Sequence, residues 1–92
     1  MTKAELVKRV AEAAEVTQKQ AAQVLDAFFA VVKDAAASGE EVRIPGFGSF
    51  VVRERKARAG RNPQTGEEIV IPARRAVVFK PGKELRDAAE RS

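Results

Sequence analysis

Basic side chains are concentrated in the second half of this 92-residue chain. Residues 53–86 contain ten lysines and arginines and four glutamates, a net charge of +6, whereas residues 1–52 carry a net charge of −1. Guanidinium and ammonium groups bind phosphate oxygens, and clustered positive charge is typical of a surface that binds a polyanion. The ten basic residues are Arg53, Arg55, Lys56, Arg58, Arg61, Arg74, Arg75, Lys80, Lys83 and Arg86.

The residues that most often perform catalysis are missing. The chain has no histidine and no cysteine, so it lacks the usual general base, the thiol nucleophile, the common zinc ligands and any disulfide. The serines Ser38, Ser49 and Ser92 lie at a predicted helix end, among phenylalanines and at the terminus. The adjacent glutamates at 40–41 and 67–68 would point to opposite sides of a strand. We therefore expect no enzymatic activity, no metal and no cofactor.

Two helix-start signals divide residues 1–39 into a predicted helical hairpin. Thr2 with Glu5, and Thr17 with Gln20, have the spacing of capping boxes. The first helix should end near residue 14, and because the turn after it has no glycine, Glu15 or a neighbour is expected to be left-handed. The apolar stripes are Leu6, Val7, Val10, Ala13 and Ala14 on the first helix, and Ala21, Val24, Leu25, Phe28, Phe29, Val32 and Ala35 on the second.

The apolar period changes from 3.6 to 2 after Gly39, a natural helix stop. Residues 40–80 are predicted to form a three-stranded antiparallel sheet, and residues 81–92 a short terminal helix. The predicted fold class is therefore α+β, with helical hairpin, sheet and terminal helix in a single domain spanning residues 1–92.

The sheet should carry a long hairpin arm over about residues 53–75. One strand is predicted from about Phe47 to Ala59, and the segment Gly60–Gly66 is a loop by composition. Pro72 cannot occupy a central ladder position in the returning strand. The outer half of this arm has too few apolar residues for a core, and a two-stranded ribbon is marginal in water. An arm that becomes ordered on a ligand explains this composition.

All five aromatic residues are phenylalanines, and they fall on the second helix and at the base of the sheet. A chain of this size without disulfides or metals buries only a modest core, so a partner subunit is expected to supply the rest. We therefore predict a dimer with an intertwined core. The predicted dimer-core residues are Phe28, Phe29, Phe47, Phe50 and Phe79.

Three motifs resemble the bacterial histone-like HU family, to which integration host factor is closely related. They are Ile44–Phe50 (IPGFGSF), Gly60–Gly66 (GRNPQTG) and Phe79–Leu85 (FKPGKEL), and their spacing also agrees. The resemblance extends over essentially the whole chain. It implies a homodimer, or a heterodimer with a paralogous chain, whose two β-arms reach around double-stranded DNA and bend it with little sequence preference. Such proteins are examples of architectural minor-groove binders.

The resemblance also assigns roles to individual residues. Pro63 matches the proline that intercalates between base pairs at the arm tip, and Arg61 and Asn62 match tip residues that lie in the minor groove. Proline is rigid and lacks an N–H, so it enters a base stack without losing a donor. The arm stem would consist of Arg53, Arg55, Lys56 and Arg58, and the phosphate-binding saddle of Lys3, Arg74, Arg75, Lys80 and Lys83.

Other binding classes fit the sequence less well. An RNA-binding module would need exposed aromatics to stack on bases, and this chain has no tyrosine or tryptophan, so RNA is expected to bind more weakly than DNA. No apolar run could span a bilayer and no predicted helix has a strongly basic polar face, so no membrane role is expected. The start of the chain has no signal-peptide pattern, which favours a cytoplasmic protein of the nucleoid. A site-preferring protein resembling integration host factor stays open as the alternative.

Overall fold

A computed structural model describes residues 1–91. Two compact units are distinguished, Met1–Ala35 and the remainder of the chain from Ala36. The elements in chain order are helices α1 (Lys3–Ala14) and α2 (Gln18–Ser38), strands β1 (Val42–Ile44), β2 (Gly48–Arg55), β3 (Arg58–Arg61), β4 (Glu68–Ile71) and β5 (Arg74–Pro81), and helix α3 (Lys83–Glu90).

Local capping explains where the first two helices begin. The hydroxyl of Thr17 accepts from the backbone N–H of Gln20, and the Gln20 side chain accepts from the N–H of Thr17, so the second capping box is complete. The first is half formed, because Thr2 accepts from the N–H of Glu5 while the Glu5 carboxylate pairs with Arg9 at 2.7 Å. Capping chemistry thus confirms the predicted starts of both helices.

The helix ends also follow the prediction. Glu15 terminates α1 in the left-handed conformation with φ 56°, and its N–H bonds back to the carbonyls of Ala11 and Glu12. Gly39 follows α2 with φ +77°. The predicted helical hairpin over residues 1–39 is therefore confirmed at each of its ends.

The strands form two antiparallel sheets. The predicted three-stranded sheet is formed by β1, β2 and β5, in the order β1-β2-β5, whereas β3 and β4 make a separate two-stranded ribbon. The prediction of one continuous strand to Ala59 was wrong, because the ladder is interrupted at Lys56–Ala57, opposite Pro72–Ala73. Pro72 lacks an N–H, so the pairing stops in both strands.

Two further boundaries differ from the sequence prediction. The tip loop begins at Asn62 rather than Gly60, since Gly60 and Arg61 pair with Ile69 and Glu68 in the ribbon. The terminal helix starts at Lys83, not at 81, because Pro81 still belongs to β5 and Gly82 is the N-cap. The predicted end of that helix, Ser92, lies outside the described residues.

The core of the single chain is very small. Among residues 1–91, the hydrophobic side chains that are buried are Ala11, Ala21 and Ala35, and no large side chain is fully buried. Phe79 packs against Phe47 and Phe50 with ring-centroid distances of 5.5 and 4.9 Å. The Phe47 and Phe79 side chains nevertheless remain 44% and 36% exposed. Much of the apolar surface is therefore uncovered in one chain.

Candidate nucleic-acid interface

The register of the three-stranded sheet separates basic from apolar side chains. Residues directly opposite each other in an antiparallel ladder share a face, and successive residues alternate between faces. Ser49 lies opposite both Arg43 of β1 and Lys80 of β5, while Arg53 lies opposite Ala76 and Arg55 opposite Arg74. We call this side the basic face. It carries Arg43, Ser49, Val51, Arg53, Arg55, Arg74, Ala76, Val78 and Lys80.

The basic face contains five cations and no carboxylate. All five cationic side chains are exposed. Within residues 1–91, only one of them takes part in a salt bridge, Arg43, whose Nη2 lies 3.2 Å from Oε1 of Glu41. The other four are available to an external anion.

The other side of the same sheet is the apolar face. Its ladder pairs Phe50 with both Val42 and Phe79, and Val52 with Val77. Its two charged residues are Glu54 and Arg75, which lie directly opposite each other at the end of the sheet nearest the ribbon. Val77 is 57% exposed here, so the face is not covered within the chain.

Arg75 therefore lies on the opposite face from its neighbour Arg74, although both are predicted saddle residues. Its Nη1 donates to the carbonyl of Ala37 at 3.2 Å, and its Nε is 3.9 Å from Oε1 of Glu54. Arg74 takes part in no ion pair among the described residues. The structure thus separates two cations that are adjacent in the sequence.

Of the predicted arm stem, the two-stranded ribbon carries Arg58, whereas Arg53 and Arg55 belong to β2 of the three-stranded sheet. Arg58 pairs with Ile71 and shares a side with Gly60, whereas Arg61 lies opposite Glu68 on the other side. The two arm cations therefore project from opposite sides of the ribbon. Lys56 lies at the interruption between β2 and β3, where Arg55, Lys56, Arg58 and Arg74 border an open depression of about 330 Å³.

The tip of the arm is held by its own hydrogen bonds. The side-chain oxygen of Asn62 accepts from the N–H of Gln64 at 2.9 Å, and its carbonyl accepts from the N–H of Gly66 at 2.7 Å. The N–H of Asn62 donates to the carbonyl of Glu67, and Gly66 adopts φ +74°. This Asx turn spans Pro63, which has no N–H to satisfy and lies exposed at the corner.

The remaining two predicted contacts lie on helices. Lys3 is the first residue of α1, and its Nζ lies 2.7 Å from Oδ1 of Asp26 on α2. Lys83 is the first residue of α3, and the N–H of the preceding Gly82 donates to the carbonyl of Phe47 at 2.7 Å. The start of α3 is thereby joined to the turn that precedes β2.

Arg43 is a member of the basic face that the site prediction omitted. The alternation of Val42 and Ile44 with Arg43 predicts that Arg43 points away from the apolar side. Its neighbours on that side depend on the strand register, which the sequence does not specify. The sequence pattern alone therefore predicts that Arg43 points outward, but not that it lies beside Ser49 and Lys80 on the same face.

Alternative site chemistries find no support in the described part of the chain. No group of three or more acidic residues, histidines or cysteines there is arranged to hold a metal ion. None of the helices within residues 1–91 is long and apolar enough to cross a membrane.

An α+β chain with a sheet face whose charged residues are all cationic, and with a basic hairpin arm, has the features of a nucleic-acid-binding protein. This chain belongs to the bacterial DNA-binding protein family, whose model matches residues 1–90. The resemblance to the HU family found in the sequence motifs is thereby confirmed.

Individual relatives match this chain over nearly its whole length. The chain is 53% identical over 88 residues to DNA-binding protein HU 1 of Bacillus subtilis, covering 96% of each chain. It is 51% identical over 90 residues to DNA-binding protein HU of Staphylococcus aureus, covering 98% of this chain and all of the relative. Among solved structures, the Anabaena HU–DNA cocrystal structure matches with a TM-score of 0.86 at 52% identity, covering 97% of each chain.

Proposed function

We propose that this protein is an architectural double-stranded DNA-binding protein that binds with little sequence preference and bends its target. The observation that carries the proposal is the basic face, on which five exposed cations stand without a carboxylate. The names of the relatives, DNA-binding protein HU, and a neighbour solved with DNA support the same ligand.

The basic face suits the phosphate backbone better than base edges. Its cations come from three strands of a broad sheet, whereas the major groove admits a helix or a two-stranded ribbon. Phosphate contacts fix position without reading sequence, and their number sets the salt dependence of binding. We therefore assign Arg43, Arg53, Arg55, Arg74 and Lys80 to phosphate contacts.

The ribbon suits the minor groove. A two-stranded ribbon with an exposed proline at its corner is thin enough for a groove roughly 6 Å wide. Arg58 and Arg61 on its two sides would face the two groove walls. Pro63 would then enter a base step as an apolar wedge, and the kinked duplex would lie across more of the protein surface.

The exposed apolar residues support a dimer. A second copy would cover the apolar face and the exposed part of the α2 stripe, where Val24 is 67% and Phe28 40% exposed. Large exposed apolar patches mark interaction surfaces, and a closed twofold dimer is the commonest assembly among soluble oligomers. We propose a homodimer, with a heterodimer of paralogous chains as the alternative pairing.

The same reasoning assigns the protein a binding role in the nucleoid rather than an enzymatic one. Neither the basic face nor the arm presents a nucleophile beside a general base, and the relatives are named for DNA binding. Structured RNA offers phosphates too, but its deep, narrow major groove and wide, shallow minor groove differ from those of B-DNA. RNA is therefore expected to bind more weakly.

The test is titration of two unrelated duplexes of equal length at several salt concentrations. The logarithm of affinity should fall linearly with the logarithm of salt concentration, and both duplexes should bind with similar affinity. Arg53→Ala should lower the slope by about one. Arg9→Ala is the matched control, because it removes the same charge from α1, where Arg9 pairs with Glu5. A preference above about a thousandfold for one duplex would instead indicate a site-preferring protein like integration host factor.

A further inference from the structure

We infer that Arg75 is a positioning residue that fastens the root of the arm to the end of α2, and that it is not a phosphate ligand. The inference refines the proposed DNA-binding function, because it removes one cation from the predicted saddle and gives that residue a different task.

All three guanidinium nitrogens of Arg75 face other parts of the protein. Nη1 donates to the carbonyl of Ala37 at 3.2 Å, and Nε lies 3.9 Å from Oε1 of Glu54. Nη2 lies so close to Gly39 that a Cβ at that position would collide with it. The guanidinium is therefore engaged on the apolar side of the sheet, away from the basic face, although its side chain is still 47% exposed.

The contact with Ala37 satisfies a group that the helix cannot satisfy itself. The last four carbonyls of an α-helix have no intrahelical partner, and positive charge near them is favoured by the helix dipole. α2 has no basic residue in its last turn. Arg75 supplies that charge from β5, while Gly39, with its positive φ and lack of a side chain, leaves room for the guanidinium.

The position of Arg75 in the ladder makes the contact relevant to the arm. The pair Glu54–Arg75 is followed by only one more pair, Arg55–Arg74, before the sheet is interrupted. The side chain of Arg75 therefore ties residues 37–39 to the last rungs from which the ribbon continues. Loss of this tie should loosen the arm root without removing a DNA contact.

Arg74 provides a matched comparison, because it is the adjacent residue with the same charge on the basic face. We would prepare Arg74→Ala and Arg75→Ala and measure two properties of each full-length protein. The first is amide hydrogen exchange at residues 39–41, 53–55 and 74–76 in the absence of DNA. The second is the salt slope of binding to one intact duplex.

In Arg75→Ala, the amide hydrogens at these positions should exchange roughly fivefold or more faster than in wild type, because one modest hydrogen bond is lost. The salt slope of this variant should stay at the wild-type value. Arg74→Ala should show wild-type exchange and a slope reduced by about one. Arg75→Lys keeps the charge but lacks the planar fork, so it should also exchange faster at an unchanged slope.

Either of two results overturns the inference. One is a slope reduced by about one in Arg75→Ala, which would make Arg75 a phosphate ligand. The other is amide exchange at the wild-type rate in both Arg75 variants, which would show that the contacts of Arg75 do not stabilise the root of the arm. Failure of the proposed function is separate, because it would appear as weak, salt-independent binding of wild type, whereas the exchange measurement uses no DNA.

Discussion

The ammonium nitrogen of Lys3 lies 2.7 Å from Oδ1 of Asp26, so a cation that the family resemblance assigns to the DNA surface already has an anionic partner. Both side chains are more than half exposed, at 62% and 56%. An exposed ion pair of this kind contributes only about 0–1 kcal/mol and exchanges readily for another anion. If Lys3 contacts a phosphate, Asp26 is the group that the phosphate must displace.

Asp26→Asn should therefore tighten DNA binding. Removal of a competing carboxylate worth about 0.2–1 kcal/mol corresponds to roughly 1.5- to 5-fold higher affinity at low salt. Asp34→Asn is the control, because it makes the same charge change on α2, and Asp34 forms no salt bridge among the described residues. Equal gains in the two variants would mean that only net charge matters and that Lys3 does not contact DNA.

A second carboxylate, just outside the sheet, competes for one cation of the basic face. Glu41 pairs with Arg43 at 3.2 Å, and this pair is also exposed. Glu41→Gln should raise affinity more than Glu40→Gln, since both remove one negative charge from adjacent positions but only the first releases Arg43. Arg43→Ala should reduce the salt slope by about one. Fluorescence titration of one duplex across a salt series measures the affinity and the salt slope of all three variants. An unchanged slope in Arg43→Ala would exclude Arg43 from the interface.

The helix boundaries could be predicted because their determinants are local. Thr17 and Gln20 exchange hydrogen bonds within a single turn, and Glu15 and Gly39 end their helices through backbone conformations that depend on adjacent residues. No distant part of the chain is needed to specify these features, so residue types and spacing were sufficient.

The faces of the sheet could not be predicted in the same way. Arg74 and Arg75 are the same residue type in consecutive positions, and a register shift of one residue would exchange their sides. The interruption at Lys56–Ala57 was missed for a related reason. Nothing in those two residues breaks a strand, and the cause is Pro72 in the opposing segment. Cross-strand pairing decides both features.

The phenylalanine cluster predicts a dimer whose stability depends on concentration. Phe47 packs on Phe79 but remains 44% exposed in one chain, so its full burial requires a partner. The melting temperature should fall on hundredfold dilution. Phe47→Ala should cost about 3–5 kcal/mol of stability, the range for a buried large aromatic.

The control for this experiment is Val70→Ala on the ribbon, because Val70 is already 76% exposed. That variant should melt close to wild type at every concentration. A wild-type melting temperature that is independent of dilution would contradict the dimer. If Phe47→Ala loses no more stability than Val70→Ala does, Phe47 lies outside the dimer core.

The proposed role of Pro63 as a wedge can be tested separately from the hairpin turn in which it lies. The bonds from Asn62 to Gln64 and Gly66 hold the tip without using the Pro63 ring, so Pro63→Ala should preserve the hairpin. Pro63 cannot neutralise a phosphate, and its replacement should leave the salt slope nearly unchanged while lowering the bend. Fluorescence transfer between dyes at the two ends of a duplex measures that bend.

Arg58→Ala is the complementary variant, because it removes a charge from the arm stem and keeps the wedge. It should lower affinity and slope together. DNA that is already nicked or gapped is easier to kink, so wild type should prefer it to intact duplex, and the defect of Pro63→Ala should shrink on it. If Pro63→Ala bends intact duplex as strongly as wild type does, Pro63 is only the corner of a hairpin, because a residue that opens a base step cannot be replaced by alanine without loss of the kink.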